Sequence, residues 1–271
     1  MKFNYRNIGL RLTSLLIISV LFVTCRTVPV TGRKQVNLLP ESNLVKMSFD
    51  TYDQFMKKHD VLKGTEASQT VKSVGNNISI AVEKFLRGKG RPGMNKYFNW
   101  EFNLVEEDVP NAWCMPGGKV AVYTGILPYT KDATGLAVVM GHEIAHAVGR
   151  HGNERMSQQL LVQFGGLALN VALNEKPEKT RELFMAAYGL TSTVGVMLPY
   201  SRTHETEADK LGLIFMAIAG YNPREAVDFW TRMSKAGGTP PPEFLSTHPS
   251  HATRIKNLKD FMPEAMKYYE K

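Results

Sequence analysis

Two cysteines in 271 residues, Cys25 and Cys114, are too few to staple a fold with disulfides, so the chain must rely on a buried core. Runs of Lys and Arg are missing too, as is any RNA-binding signature, which argues against nucleic acid as a partner. The sequence contains no internal repeat and no low-complexity tract. Long apolar runs are scarce. Leu12 to Val23 is too short to cross a bilayer as a helix and suits the hydrophobic core of an export signal. Residues 156–174 and 183–201 carry no charge, but polar residues such as Gln158, Gln159, Gln163 and Asn170 interrupt the first. Thr191, Ser192, Thr193 and Pro199 interrupt the second, so both read as buried or active-site-covering helices.

What is present begins at the N-terminus. The chain has 33 basic and 25 acidic residues, a net charge of +8, but Lys2, Arg6 and Arg11 precede the apolar run. The remainder is only mildly basic, a surface better matched to anionic lipid headgroups than to nucleic acid. A basic start, an apolar run and then Cys25 resemble a bacterial lipobox, in which the cysteine is lipidated; Thr24 departs from the usual Gly, Ala or Ser before it. The expectation is a signal peptide over 1–24, lipidation at Cys25, an extended tether over 25–40 and one domain over 41–271. That places the protein in a bacterial cell envelope, lipid-anchored at the outer membrane and facing the periplasm. Cys114 then has no disulfide partner and reads as a small core residue.

Apolar spacing predicts one amphipathic helix near 41–60, through Leu44, Met47, Phe55 and Met56. A second runs near 66–87, through Val71, Val74, Ile78, Ala81, Val82 and Phe85. Phe98, Trp100, Phe102 and Leu104 alternate with polar residues as in a strand, and Gly117-Gly118 marks the turn of a following hairpin. A small antiparallel sheet therefore leads into the next helix, and an extended substrate could add to its outer strand.

That next helix carries the chemistry. Residues 141–146 read Gly-His-Glu-Ile-Ala-His, an HExxH sequence. His142 and His146 at i and i+4 share one helical face and can grip one Zn²⁺, leaving Glu143 beside the metal as a base. Asp132 or Thr134 can cap the helix start, and Gly149 and Gly152 can end it.

A hydrolytic zinc needs a third protein ligand and an open position. His151 sits one residue before the place where the metzincin pattern HExxHxxGxxH requires histidine, which is Gly152 here. On a continued helix His151 would point about 140° from His146. The segment Ser201–Asp209 offers Glu205 and Asp209 on one helical face, suited to a ligand and to a carboxylate that accepts the N–H of a ligating histidine. The same spacing also describes a solvated acidic face. Glu207 lies about 200° from Glu205, and His204 reads as a neighbour of the site.

The GHEIAH motif, SRTHETEAD over 201–209, Thr247-His248-Pro249 with Arg254-Ile255, and Asn111-Ala-Trp-Cys-Met-Pro-Gly-Gly together resemble the gluzincin peptidases. That family includes CAAX prenyl proteases, HtpX-type heat-shock proteases, mitochondrial Oma-type proteases and periplasmic chaperone-proteases of outer-membrane assembly. The likeness covers residues from about 41 to 260. Trp113 stands where Phe is commoner. The resemblance implies an α+β, mainly helical zincin-like metalloprotease domain with a small antiparallel sheet beside the HExxH helix. It implies one Zn²⁺ on His142, His146 and Glu205, with Asp209 behind the ligands and Glu143 as catalytic base. It places His248 over the metal, either stabilising the oxyanion or occupying the open position and holding the enzyme inactive. Asn111 could share the oxyanion role, and Arg254 would support the His248 loop or the transition state. His251 has no matching role.

The resulting expectation is a membrane-tethered zinc metalloendopeptidase acting on misfolded or envelope polypeptides. The competing expectation is a mostly latent protease that serves as an outer-membrane assembly chaperone. A prenyl-peptide protease is disfavoured because the sequence offers no clear transmembrane helices.

Overall fold

The computed structural model describes residues 25–29, 31–193, 197–235, 244–245, 248 and 252–269. The signal-peptide reading of 1–24, the Pro-rich stretch 240–242 and His251 lie outside the described residues.

The described residues start with a small hairpin of β1 (Cys25–Thr27) and β2 (Lys34–Val36), followed by helix α1 (Glu41–Met56) and a short strand β3 (Val61–Leu62). Helix α2 (Glu66–Gly88) comes next, its Thr65 side chain accepting a hydrogen bond from the Ser68 N–H at the start. Strands β4 (Glu101–Val105), β5 (Ala112–Met115) and β6 (Lys119–Tyr123) complete a sheet in the order β3-β4-β6-β5. A short helix α3 (Leu127–Thr130) leads into α4 (Ala133–Val148), the helix of the HExxH motif. The rest is helical: α5 (His151–Ala172), α6 (Glu178–Ser192), α7 (Leu198–Ile218), α8 (Glu225–Lys235) and α9 (Ala252–Met266). The protein is thus α+β and mainly helical, as expected.

Helix α4 forms where it does because the Asp132 side chain caps it, accepting from the N–H groups of Thr134 and Gly135. It is nearly all apolar and buried on every side, with Leu136, Val139, Met140, Ile144 and Val148 at 2% exposure or less. Burying each such side chain contributes about 1.5–3 kcal/mol, so the motif helix is the centre of the core rather than a surface element. Helix α7 packs against it with Leu211, Phe215 and Met216 fully covered. The two backbones meet at Gly141 and Gly212. A Cβ on Gly212 would stand 3.0 Å from the His142 nitrogen, and one on Gly141 would stand 3.1 Å from the Gly212 oxygen. Only glycine permits so close a crossing, and it brings the motif face of α4 onto the Glu205–Asp209 turn of α7.

Three expectations need correction. The sheet is mixed: β5 and β6 form the hairpin, but β4 pairs with β6 in parallel, with Phe102 opposite Val120 and Leu104 opposite Val122. The long connection through β5 allows this crossover, which alternation within a strand cannot reveal. The segment read as an extended tether is folded onto the body. Val28 and Gln35 are buried at 1% and 2%, and β1–β2 followed by an irregular stretch runs as a strap to α1. The charge-free segments are buried only in part: Ser157 and Gln158 are covered, and Gln158, Met197 and Ser201 line a cavity beside His146 and Glu205, as an active-site cover would, but the apolar side chains beyond them stand in the open. Leu161, Phe164, Leu167 and Val171 of α5 and Leu183, Phe184 and Leu190 of α6 are all exposed by 44% or more. No helix of the described residues is long and apolar enough to cross a membrane.

Candidate metal centre

His142 and His146 point the same way from α4, their Nε2 atoms 3.1 Å apart. From α7, Glu205 sets Oε2 3.3 Å from His142 Nε2 and Oε1 3.3 Å from His146 Nε2. His248, arriving from the far end of the chain, places Nδ1 3.1 Å from His142 Nε2 and 3.0 Å from Glu205 Oε2. These four residues are the metal-binding group found among the described residues. Donors about 2.0–2.1 Å from a tetrahedral zinc stand about 3.3 Å from one another, close to every separation just given. His₂Glu with a fourth nitrogen is also a donor set that zinc accepts readily.

The protonation preferences agree. Burial works against an imidazolium at His142, but hydrogen bonds to Asp209 and Glu205 outweigh it and lift its pKa to about 9. Burial also opposes ionisation of Glu205, yet its contacts to His142, His146 and His248 hold its carboxyl well below the usual range. The site therefore asks for positive charge where the donors converge, which a divalent cation supplies. Burial drives His146 the other way, well below its ordinary value, as suits a neutral ligand.

Glu143 is 4% exposed, and burial raises its pKa. Its Oε1 is buried without a hydrogen-bond partner, 3.4 Å from His248 Nε2. A buried carboxylate with no donor is costly unless a ligand or reactant uses it. Asp209 Oδ1 lies 2.9 Å from His142 Nδ1, so the Nδ1–H donates to it and leaves Nε2 free for the metal. Arg254 is buried, stacks on Trp230 at 3.3 Å, and its Nη2 donates to the same Asp209 oxygen at 2.5 Å. Its Nη1 reaches Glu205 Oε2 at 3.3 Å and the His248 carbonyl at 3.4 Å, tying the His248 segment to the centre.

The expected residues separate clearly. His142, His146, Glu205, His248, Glu143, Asp209 and Arg254 come together. Asn111 lines the adjoining cavity, about 550 Å³, but its Oδ1 accepts from the Ala112 N–H. Cys114 is half-buried, packed against the hydrophobic core and on the wall of that cavity. Strand β5 is the last of its sheet, and Ala112, Trp113 and Cys114 face the same space.

His151 is not a ligand. Helix α4 ends at Gly149, Arg150 takes a left-handed conformation (φ 57°), and α5 starts at His151. This reversal returns His151 behind His146 instead of carrying it around the helix. Two groups escaped the sequence reading: Glu154, buried between Arg33 and His204, and Arg33 itself. Glu154, on the turn after the motif, carried the only local signal, an acidic residue beside a cluster of histidines.

Two helices that cross at glycines, a His₂Glu group and a buried carboxylate beside it define a zinc-dependent metalloendopeptidase of the HExxH type. The chain belongs to Peptidase family M48, whose pattern matches residues 74–262. It is similar to the mitochondrial metalloendopeptidase OMA1 of Schizosaccharomyces pombe, 31% identical over 246 residues, 90% of this chain and 68% of the relative. It is similar to the human mitochondrial metalloendopeptidase OMA1, 31% identical over 271 residues, 97% of this chain and 51% of the relative. The beta-barrel assembly-enhancing protease of Escherichia coli is 26% identical over 167 residues, 59% of this chain and 34% of the relative. The chain thus spans about two thirds of the first of these relatives, about half of the second and about one third of the third.

These likenesses correct the placement read from the N-terminus. The relatives matched over nine-tenths or more of the chain are named as mitochondrial, so a bacterial outer membrane facing the periplasm does not stand. A lipobox-like cysteine after an apolar run is a short, local signal, and the likeness over the whole domain outweighs it.

Proposed function

We propose that the protein is a membrane-tethered endopeptidase that cleaves misfolded polypeptides, and that His248 holds its metal centre in a resting state. The observation that carries this reading is the position of His248 Nδ1, 3.1 Å from His142 Nε2 and 3.0 Å from Glu205 Oε2 in the same donor group as His146, where a substrate or water must enter. The apolar run Leu12 to Val23 behind Lys2, Arg6 and Arg11 supports the tether. The printed names of the relatives, metalloendopeptidase and assembly-enhancing protease, support protein substrates.

His142, His146 and Glu205 would hold the zinc, which when bound would supply a Lewis acid for the scissile carbonyl and for an attacking water. The protein does the rest. Glu143, its pKa raised by burial, takes the proton from that water and passes it to the leaving amine. Strand β5 aligns an extended peptide through main-chain hydrogen bonds along the cavity. Once His248 swings off the donor set, Asn111 on the cavity wall is the side chain offered to the developing oxyanion. Arg254 keeps Asp209 and the His248 segment in register.

A chaperone whose protease site stays shut is the second reading, favoured by the same His248 contact. Cleavage of casein by the wild type and by His248→Ala separates them. Cleavage by both, faster in the variant, supports the gated protease; cleavage by the variant alone supports the chaperone reading. Equal cleavage by both removes His248 as the gate, and cleavage by neither contradicts the peptidase reading.

A further inference from the structure

The two ligating histidines are backed differently. His142 leans directly on a carboxylate, Asp209. His146 Nδ1 lies instead 3.0 Å from His151 Nδ1, and His151 Nε2 lies 3.2 Å from Glu207 Oε2. Tautomers follow from the chemistry. A metal on His146 Nε2 puts the proton on Nδ1, which donates to His151 Nδ1; the His151 proton then sits on Nε2 and donates to Glu207. His204 stacks on His151 with ring centres 4.4 Å apart and planes 11° apart, fixing the plane in which both bonds form.

Glu207 is anchored by the strap. Arg33 donates from Nε and Nη2 to its two oxygens, both at 2.9 Å, and Thr31 Oγ1 donates at 2.5 Å. The same guanidinium grips Glu154 at 2.7 and 2.6 Å, and His204 Nε2 contacts that carboxylate at 2.8 Å. The two carboxylates are almost wholly buried, at 1% and 3% exposure, so Arg33 is the charge that lets them stay ionised there. The strap is itself pinned beside the motif helix. Gln35 Nε2 donates to the Gly149 carbonyl at 2.7 Å, and the Leu38 N–H donates to Ser157 Oγ at 2.8 Å.

We propose that Arg33, Glu207 and His151 form a chain of positioning residues that orients the zinc ligand His146, making residues 31–35 a working part of the metal centre. The proposal rests on the metallopeptidase reading above. It gives a function to a histidine that is not a ligand, to an acid that faces away from the metal, and to a segment before the domain's first helix. A hydrogen-bonded partner behind a ligating imidazole changes metal affinity by about 10–100-fold.

The test measures zinc dissociation by competition with a chromophoric chelator on the full chain, together with kcat and KM for a peptide in the His248→Ala background. Melting of the metal-free protein reports folding separately. His151→Phe keeps the ring but loses both hydrogen bonds, and zinc affinity falls about 10–100-fold. His151→Gln, whose amide both accepts and donates, stays within about threefold of wild type on the same scale. Arg33→Met lies between, about three- to tenfold weaker, with kcat falling and KM little changed.

If wild type binds no zinc, the metallopeptidase reading itself fails. If wild type binds zinc and a folded His151→Phe binds it equally well, the relay is wrong. If His151→Gln loses as much as His151→Phe, packing and not hydrogen bonding is at work, which also overturns it. Should His151→Phe fail to fold, the Gln and Arg33 variants decide: Arg33→Met with unchanged zinc affinity removes the strap from the metal centre.

Discussion

His248 Nδ1 and His142 Nε2 lie 3.1 Å apart, although 106 residues separate them in sequence. Two imidazole nitrogens approach so closely only when they share a proton or a metal, and Glu205 stands within 3.3 Å of both. On the function proposed above, the His248 side chain occupies the position that a hydrolytic centre must open. Replacing His248 with alanine is expected to raise kcat/KM on an unfolded protein substrate by about tenfold or more, roughly 1.4 kcal/mol of lost competition. Steady-state cleavage of labelled casein measures it; unchanged or lower activity would show that His248 serves the reaction instead of blocking it.

Asp209 is the partner of His142 and of Arg254 at once. Asp209→Asn keeps the shape but loses the charge that orients His142. Zinc affinity should fall by about 10–100-fold, read by chelator competition. Because Arg254 also loses its anionic partner, Asp209→Ala should destabilise the fold by about 3–5 kcal/mol more than an exposed substitution does, seen in urea melts.

The helix crossing offers a test that involves no titratable group. Gly212→Val places side-chain atoms against the backbone of α4, since even a Cβ there would stand 3.0–3.2 Å from His142 N and the Gly141 carbonyl. Backbone cannot step aside as a side-chain tip can. The variant should lose about 1–3 kcal/mol of stability and bind zinc more weakly, because the same displacement moves Glu205 away from the histidines. A variant with wild-type melting and zinc binding would contradict the account of the crossing.

Metal removal has a definite sign. The metal-free centre gathers ionised Glu205 with the buried carboxyl groups of Glu143 and Asp209, so a cation that binds only the folded state stabilises it by mass action. At zinc about 1,000-fold above its Kd the gain is about 4 kcal/mol. A chelator should lower Tm and stoichiometric zinc should restore it, whereas magnesium should not.

The parts of the site that were legible in the sequence are those fixed within one helix turn. His142, Glu143 and His146 follow from HExxH, whereas i, i+4 spacing only puts Glu205 and Asp209 on one face and the family resemblance of SRTHETEAD singles them out. The cap of the HExxH helix was legible only as Asp132 or Thr134, between which the structure selects Asp132. What was not legible depends on long-range contact. Arg33 meets Glu207 across 174 residues, and no periodicity marks the strap. The position of His151 turns on a left-handed Arg150, a conformation that sequence does not announce in a non-glycine residue. Parallel pairing of β4 with β6 is a tertiary choice, and the apolar face of α5 and α6 reads the same whether buried or exposed.

The most direct measurement of the central claim is the pair Glu143→Gln and wild type, both in the His248→Ala background, assayed for zinc content and for peptide cleavage. Glu143 is the buried carboxylate beside the donor set, and its substitution removes the base without touching a ligand. The account predicts one zinc per chain in both proteins and a fall in kcat of about 10²–10⁴-fold in the Glu143→Gln protein. Retained cleavage by Glu143→Gln, or loss of its zinc along with activity, would contradict it.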